Sequence, residues 1–432
     1  MVATPTDQDR SEQTADRLSL PLLLLMILVI TRLTRFTRAS LLAFAPGDQI
    51  HMAAAVDLDP SKLIAAILVA LFVAALILWP RRHLIRIDWP LRFLILFIIY
   101  AFISTLWAYN PKITFVYTLK MVQWPLLYIV IISVTRSLGD LQRWGQVMLI
   151  GCFVILGSMV FERYAPPLAI GGATPEHTTH AYLTIYPQWA VFFLPFAVHY
   201  IIHGRSFRWR QWGVLAAIAS LLTVYLSFRR AGPVGIFAAL AVYLVLAGWR
   251  NRSFVAIFIM IVLAGILAVI IDPSYAARLA NLPIVGGITF DEWSDRLRMF
   301  QYIVGFEVFA AHPIVGVGLA GAQPWGFDRY GISLSQHNLI LKLASETGVV
   351  GLVMFGAFAV SAVRRGLLGL RDRRAREDLV GESWCAAIIA SLLGILIWAQ
   401  IQPMMQALPV YLAAALASSS TGILRKSPPA DR

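Results

Sequence analysis

Long apolar stretches, interrupted by short charged or Pro- and Gly-rich segments, fill most of the chain. Each stretch is long enough to cross, as a helix, a hydrocarbon core about 30 Å thick. Twelve such stretches lie near residues 18–36, 61–79, 90–107, 113–134, 143–163, 181–202, 210–227, 231–248, 253–271, 337–363, 382–401 and 405–421. The pattern therefore predicts an all-α polytopic integral membrane protein with about twelve transmembrane helices.

The same pattern divides the chain into five parts. Residues 1–17 form a polar tail, 18–271 hold nine spans, 272–336 form one long polar loop, 337–421 hold three spans, and 422–432 form a second tail. Within the loop, apolar residues recur at helical spacing and predict an amphipathic helix at the membrane surface or over a cavity: Trp293, Leu297, Phe300, Val304 and Val308. Pro313 and the two glycines of Gly316-Val317-Gly318 predict a tight turn after this helix.

Composition and charge agree with a membrane protein and give it an orientation. Of the 432 residues, 59% are hydrophobic and only 14% are charged, whereas soluble domains carry about 25% charged residues. Arginines concentrate in loops that alternate spans would place on one side: Arg81, Arg82, Arg86, Arg136, Arg143, Arg205, Arg208, Arg210, Arg250, Arg252, Arg364, Arg365, Arg371, Arg373, Arg374 and Arg376. This bias predicts cytoplasmic termini, a periplasmic long loop and a location in the bacterial inner membrane. It also explains most of the formal charge of +13, so we expect no nucleic-acid partner.

A few polar residues fall on the opposite, predicted periplasmic side and are the candidates for chemistry. Arg229 and Arg230 occupy a tight turn with no acidic residue nearby in sequence, which favours an anionic ligand. Arg296 and Arg298 lie in the long loop, where ion pairs with neighbouring acids are an equally good explanation. His337 is the first residue of a predicted span, where an ionisable side chain is costly unless water or a partner group interacts with it. Its neighbours, Gln336 and Asn338, would orient it, cap the helix or contact substrate.

Several other classes of site find little support. His177 and His180 have no third metal ligand at suitable spacing, and the chain has neither GxxxxGK[ST] nor GxGxxG, so we expect no metal and no cofactor. An enzyme facing outward without a nucleotide needs a substrate that is already activated, such as a lipid diphosphate. Lys342 and Glu346, at i,i+4 spacing, predict a buried ion pair. Candidate sugar-stacking residues are Tyr275, Trp325 and Tyr330.

Three groups of residues resemble motifs of the O-antigen ligase family, the WaaL type of the Wzy-C superfamily. They are Phe228-Arg229-Arg230-Ala231-Gly232, then Arg296 to Phe300 with His312-Pro313 and Gly316-Val317-Gly318, and finally His337-Asn338-Leu339 through Gly348. The order and spacing of these motifs around one long loop match the family. Phe228 and Phe300 depart from it, where the family has a small hydroxyl residue and Trp.

The resemblance implies a fold and a reaction. The fold would be a GT-C-like glycosyltransferase architecture. The enzyme would move an O-antigen glycan from undecaprenyl diphosphate to lipid A–core without a metal, inverting the anomeric carbon. His337 would be the general base, and the diphosphate or other substrate groups would be bound by Arg229, Arg230, Arg296, Arg298, Gln336 and Asn338. Membrane lipids would surround the protein.

Three alternatives remain open at this stage. An O-antigen polymerase or a protein O-oligosaccharyltransferase would use the same donor with a different acceptor. No arginine is followed by glycine eleven positions later, which counts against the polymerase pattern. A lipid or glycan transporter would keep its polar sites near mid-membrane and show repeated halves, whereas the polar candidates here gather at one interface.

Overall fold

The computed structural model describes residues 87–135, 137–164, 186–227, 231–248, 252–271, 293–331, 336–401 and 408–424. Its helices are α1 (Trp89–Ile103), α2 (Pro111–Met121), α3 (Gln123–Val134), α4 (Leu138–Tyr164), α5 (Tyr186–His203), α6 (Phe207–Ser227), α7 (Ala231–Tyr243), α8 (Arg252–Ile271), α9 (Trp293–Ala311), α10 (Ala322–Tyr330), α11 (Leu339–Ala375), α12 (Leu379–Trp398) and α13 (Leu408–Leu424). The described residues contain helices and no strands, so the predicted all-α class is confirmed.

The helices other than α9 and α10 lie at the predicted apolar stretches, and several of them have lengths suited to a membrane. Five helical segments in the described ranges are long and apolar enough to cross one: Trp89–Leu106, Pro111–Val134, Gly139–Val160, Leu339–Ala375 and Leu379–Trp398. The predicted spans near 18–36 and 61–79 and the tail 1–17 lie outside the described residues, as does the end of the second tail from residue 425. The number of twelve spans therefore stays a prediction.

Helix α12 lies at the centre of the bundle. It packs against α5 and α7 on one side and against α11 and α13 on the other. Small residues allow the close approach, because a Cβ added at Gly394 would come within 2.6 Å of the Ala239 side chain. Without a strong hydrophobic driving force in lipid, such small-residue contacts are the usual means of holding membrane helices together. Aromatic rings complete the core, including Trp124 stacked on Tyr411 at 5.0 Å between ring centroids.

The two ends of the bundle differ in charge. One end, which we call the loop end, carries α9, α10 and the first turn of α11. The opposite end, the arginine-rich end, holds Arg143, Arg205, Arg208, Arg210, Arg364, Arg365, Arg371, Arg373, Arg374 and Arg376. Some of these arginines are paired there, as Arg373 is with Asp378 at 2.7 Å.

The predicted amphipathic helix is present as α9, although its two faces are both largely apolar. One face packs Val304 and Val308 into a small separate core with Val317, Ala322 and Trp325. The other exposes a stripe at i, i+4 and i+7 made of Met299, Ile303 and Phe306. A helix that is apolar on both sides needs a second apolar surface beside it, and a membrane interface provides one.

Candidate functional site

The start of α11 is fixed by side-chain and backbone hydrogen bonds on both sides of His337. Asn338 caps the helix, since its Oδ1 accepts from the backbone N–H of Leu341 at 2.9 Å. The Asn338 Nδ2 donates to the carbonyl of Gln400 at 3.3 Å, and the Leu339 N–H donates to the carbonyl of Ala399 at 3.1 Å. His337 is half-buried directly before this cap. The end of α12 therefore holds the backbone that presents the imidazole.

A kink in α11 lies farther along the same helix. Gly348 has φ 63° and ψ −170°, which interrupts the helical ladder. The freed N–H groups of Val349 and Val350 donate instead to the carbonyls of Pro313 and Ile314, at 2.9 and 3.3 Å. Non-helical backbone at membrane depth is tolerated only where such groups are satisfied inside the protein. The segment that follows α9 supplies those partners.

The Gly316-Val317-Gly318 motif completes this junction. Both glycines have positive φ, 69° and 88°, and a Cβ on Gly316 would lie 2.4 Å from the backbone of Glu346. The Tyr100 hydroxyl lies 3.0 Å from the carbonyl of Val315 and 2.9 Å from that of Thr347, so it bridges the two segments from α1. Two of the sequence motifs therefore form one structural joint, and the predicted tight turn is present.

Helix α9 packs directly on the first turn of α11 and on Gln336 before it. A Cβ on Gly305 would come within 2.8 Å of the Leu341 side chain and 3.2 Å of Gln336 Cγ. Arg298 is half-buried and stands about 20° from Gly305 around the helix axis. Position 296 stands about 180° from Gly305, on the opposite side of the axis. Position 298 therefore stands on the face of α9 that meets Gln336.

The turn with Arg229 and Arg230 lies outside the described residues, but the helices on either side of it are described. A Cβ on Gly232 would contact Val224 at 2.8 Å and Pro187 at 3.4 Å, and one on Gly235 would contact Trp398 at 3.1 Å. The start of α7, the start of α5 and the end of α12 therefore meet. Because the end of α12 also tethers Leu339, the start of α7 belongs to the loop end.

Lys342 and Glu346 form the predicted pair, one and two turns into α11. Lys342 Nζ lies 2.6 Å from Glu346 Oε1, and the glutamate side chain is almost completely buried. The pair neutralises both charges and leaves no net charge on this part of the helix. The predicted ion pair is therefore confirmed by this contact.

Acidic residues of the loop are bound by tyrosines. The Tyr109 hydroxyl donates to Asp328 Oδ2 at 2.6 Å, and this hydrogen bond raises the pKa of Tyr109. Tyr330 donates to Glu307 in the same way, which raises the pKa of the phenol. Both contacts join α10 to its neighbours, so Tyr330 has a structural partner.

Two of the sugar-stacking candidates, Trp325 and Tyr330, lie side by side, with ring centroids 6.5 Å apart. Trp325 is only 9% exposed and belongs to the small core under α9. Arg329 lies over its ring at 5.2 Å. Tyr275 lies outside the described residues. Trp325 is therefore a packing residue, which sequence spacing alone did not reveal.

Sequence reasoning missed Gln301 and Tyr100. Gln301 is buried on α9 although it stands in a predicted polar position, and Tyr100 sits in an apolar run with no motif around it. The sequence signal that would have found Gln301 is its position one helical turn before Gly305, the residue at which α9 contacts α11. Within the described ranges, no group of three His, Cys, Asp or Glu side chains is placed to hold a metal ion.

The comparisons with known proteins agree with the motifs. A search of curated proteins finds no match to the chain. The sequence model of one family, Wzy_C, described as O-antigen ligase, matches residues 214–356. This segment runs from α6 to α11 and contains His337 and all four candidate arginines. The predicted resemblance to the O-antigen ligase family is confirmed over this third of the chain.

Proposed function

We propose that the chain is an O-antigen ligase, an inverting glycosyltransferase that moves a glycan from undecaprenyl diphosphate to lipid A–core. The family match supports an O-antigen ligase- or polymerase-type membrane enzyme in general. The observation that carries the more specific proposal is the contact of α9, at Gly305, with Gln336, the residue directly before His337. Arg298 stands on the same side of α9 as Gly305, two helical turns earlier, which supports it as the cation candidate beside this base candidate.

The backbone before α11 gives His337 the fixed position that a general base needs. The Asn338 cap and the Ala399 tether hold its backbone, and its side chain is half-buried. Proton transfer by a positioned side chain contributes about 10²–10⁴-fold to a reaction rate. Asn338 in this proposal positions the base, and its amide has no need to touch the substrate.

The reaction exchanges one glycosidic bond for another. The acceptor hydroxyl oxygen attacks the anomeric carbon of the donor, and its proton passes to the His337 imidazole. The bond from that carbon to the diphosphate oxygen breaks, and the electron pair leaves with undecaprenyl diphosphate. Direct displacement inverts the anomeric carbon.

Arginine charge would stabilise the leaving group. The diphosphate gains negative charge as the bond breaks, and guanidinium groups can bind it with charge-assisted, bidentate hydrogen bonds. Arg298 is our assignment among the loop arginines, because position 296 stands on the opposite side of the helix axis. Arg229 and Arg230 remain candidates for the same diphosphate from the start of α7.

The charge difference between the two ends supports a direction in the membrane. Arginine concentrates at the end opposite His337, and short cytoplasmic loops carry an excess of Lys and Arg. The loop end would then face the periplasm of a bacterial inner membrane, with both termini in the cytoplasm. Lipid-linked donor and lipid A–core would both reach the site from the membrane.

The experiment that tests this function is a transfer assay with purified components. The full chain in lipid nanodiscs receives undecaprenyl diphosphate-linked glycan and lipid A–core, in excess EDTA, and is compared with His337→Ala and Arg298→Ala. We expect the wild type to transfer glycan in the presence of EDTA. The transfer rate of His337→Ala should fall by at least about 10²-fold. Arg298→Ala should keep a lower transfer rate than Arg329→Ala. His312→Ala is the control for loss of a nearby histidine.

Other outcomes would point to other functions. Full activity of His337→Ala would refute its role as the base. Joining of donor glycans to each other, with no product on lipid A–core, would favour a polymerase, and transfer to a protein would favour an O-oligosaccharyltransferase. Movement of donor across the bilayer without any new glycosidic bond would favour the transporter.

A further inference from the structure

Two glutamine side chains are buried where α9 meets the residue before His337. Gln336 is 0% exposed, and both its Oε1 and its Nε2 lack a hydrogen-bond partner among the described residues. Gln301 is 5% exposed, and its Oε1 likewise lacks a partner in that part of the chain. Buried polar groups in native proteins nearly always have partners, so each exception needs an explanation.

Both amides lie where α9 faces the start of α11. Gly305 is the point of contact between α9 and Gln336, since an added Cβ would lie 3.2 Å from Gln336 Cγ. Gln301 precedes Gly305 by one helical turn and stands about 40° from it around the axis, on the same inner face. Arg298 stands on this face one turn earlier, and His337 follows Gln336 directly. We call these two amides the glutamine wall: Gln336 directly precedes the base candidate, and Gln301 lies one helical turn from the assigned diphosphate ligand.

The hydrogen-bonding capacity of the wall selects a type of ligand. Phosphate oxygens only accept hydrogen bonds, so a diphosphate would satisfy Nε2 of Gln336 and leave both Oε1 atoms without a donor. A sugar hydroxyl both donates and accepts, and an acetamido N–H donates. The two amide oxygens together with one amide nitrogen match a sugar better than an anion.

We infer that Gln301 and Gln336 bind the hydroxyl or acetamido groups of the sugar that is attached directly to the diphosphate. This inference rests on the proposed function, and it moves Gln336 from the diphosphate to the first sugar of the donor. Arg298 and Gln301, three residues apart on one helix face, would then hold two consecutive parts of the same donor molecule. The amides would act as specificity residues, because a site built to bond a hydroxyl discriminates strongly against a group that lacks it.

The test compares two lipids that differ only in the sugar. Binding of undecaprenyl diphosphate and of undecaprenyl diphosphate–N-acetylglucosamine is measured for the wild type, Gln301→Leu and Gln336→Leu in nanodiscs. Gln142→Leu, at the arginine-rich end, is the matched control. We expect the wild type and the control to prefer the glycosylated lipid, and each site variant to lose roughly tenfold in affinity for it. Affinity for the bare diphosphate lipid should change less than about twofold.

Stability separates ligand binding from a structural role. Replacing an unpartnered buried amide by an apolar side chain of similar size should leave the melting temperature unchanged or raise it. Gln301→Met, with the same chain length, is the second variant if Gln301→Leu folds poorly. A lower melting temperature with sugar preference intact would overturn the inference, as would an equal loss of affinity for both lipids.

The outcomes also separate this inference from the function on which it rests. If the wild type transfers glycan and the site variants keep the full preference for the glycosylated lipid, the inference alone fails. A wild type that binds neither lipid would defeat the proposed function and the inference together. A wild type that binds both lipids equally would overturn the sugar wall while the transfer assay still decides the reaction.

Discussion

Replacement of Gly348 by alanine should destabilise the protein severely. Its φ of 63° and ψ of −170° lie in a region that residues other than glycine rarely adopt, at a cost of about 1–3 kcal/mol. The new Cβ would also lie 2.2 Å from the Ile314 carbonyl oxygen, and relief of that clash requires the backbone to move. The hydrogen bonds of Val349 and Val350 depend on this backbone, and each contributes about 0.5–1.5 kcal/mol. The sum is roughly 2–6 kcal/mol.

A glycine in the same helix provides the control for this prediction. Gly356 has no atom within 4 Å of an added Cβ, so Gly356→Ala should be neutral or stabilise the helix by about 0.5–1 kcal/mol. Thermal unfolding of both variants in one detergent, followed by tryptophan fluorescence, measures the difference. Equal melting temperatures for Gly348→Ala and Gly356→Ala would refute the role assigned to the kink.

Three further substitutions test other contacts at the loop end. Gly318→Ala should lower the melting temperature more than Gly331→Ala, because both have positive φ but only Gly318 would meet a neighbour, at 2.4 Å; equal shifts would contradict the packing of this turn. Lys342→Met should cost about 3–5 kcal/mol by leaving Glu346 buried and unpaired, and adding Glu346→Gln should recover most of that loss in urea or thermal unfolding. Asn338→Ala should lower the free energy of unfolding by about 0.5–2 kcal/mol. Asn338→Asp keeps the cap and loses only the hydrogen bond to the Gln400 carbonyl. If Asn338→Asp is as unstable as Asn338→Ala, the cap contributes little.

Local patterns in the sequence predicted the local features of the fold well. The i,i+4 spacing of Lys342 and Glu346 was enough for their ion pair, and an Asn before an apolar run was enough for a helix cap. The apolar spacing of α9 likewise predicted a helix. These features depend on residues within one or two helical turns of each other, which is the range over which sequence periodicity is informative.

Features that depend on distant partners could not be predicted in this way. The kink at Gly348 is stable because the carbonyls of Pro313 and Ile314 reach it, and nothing in either segment alone reveals the pairing. The sequence made Trp325 a candidate for stacking on a sugar, but in the structure its ring is buried in the small core under α9. The proposal of Arg298 over Arg296 likewise rests on the contact of Gly305 with Gln336, which shows which face of α9 points inward.

The tether from α12 to the start of α11 has a consequence for protein engineering. Ala399 and Gln400, which hold Leu339 and Asn338, lie outside the matched segment 214–356, and so does Tyr100 at the kink. A fragment limited to residues 214–356 would lack the supports of its own candidate base. A chimaera that exchanges this segment between relatives would need an α12 end that places the two backbone carbonyls in the same way, and a tyrosine at position 100.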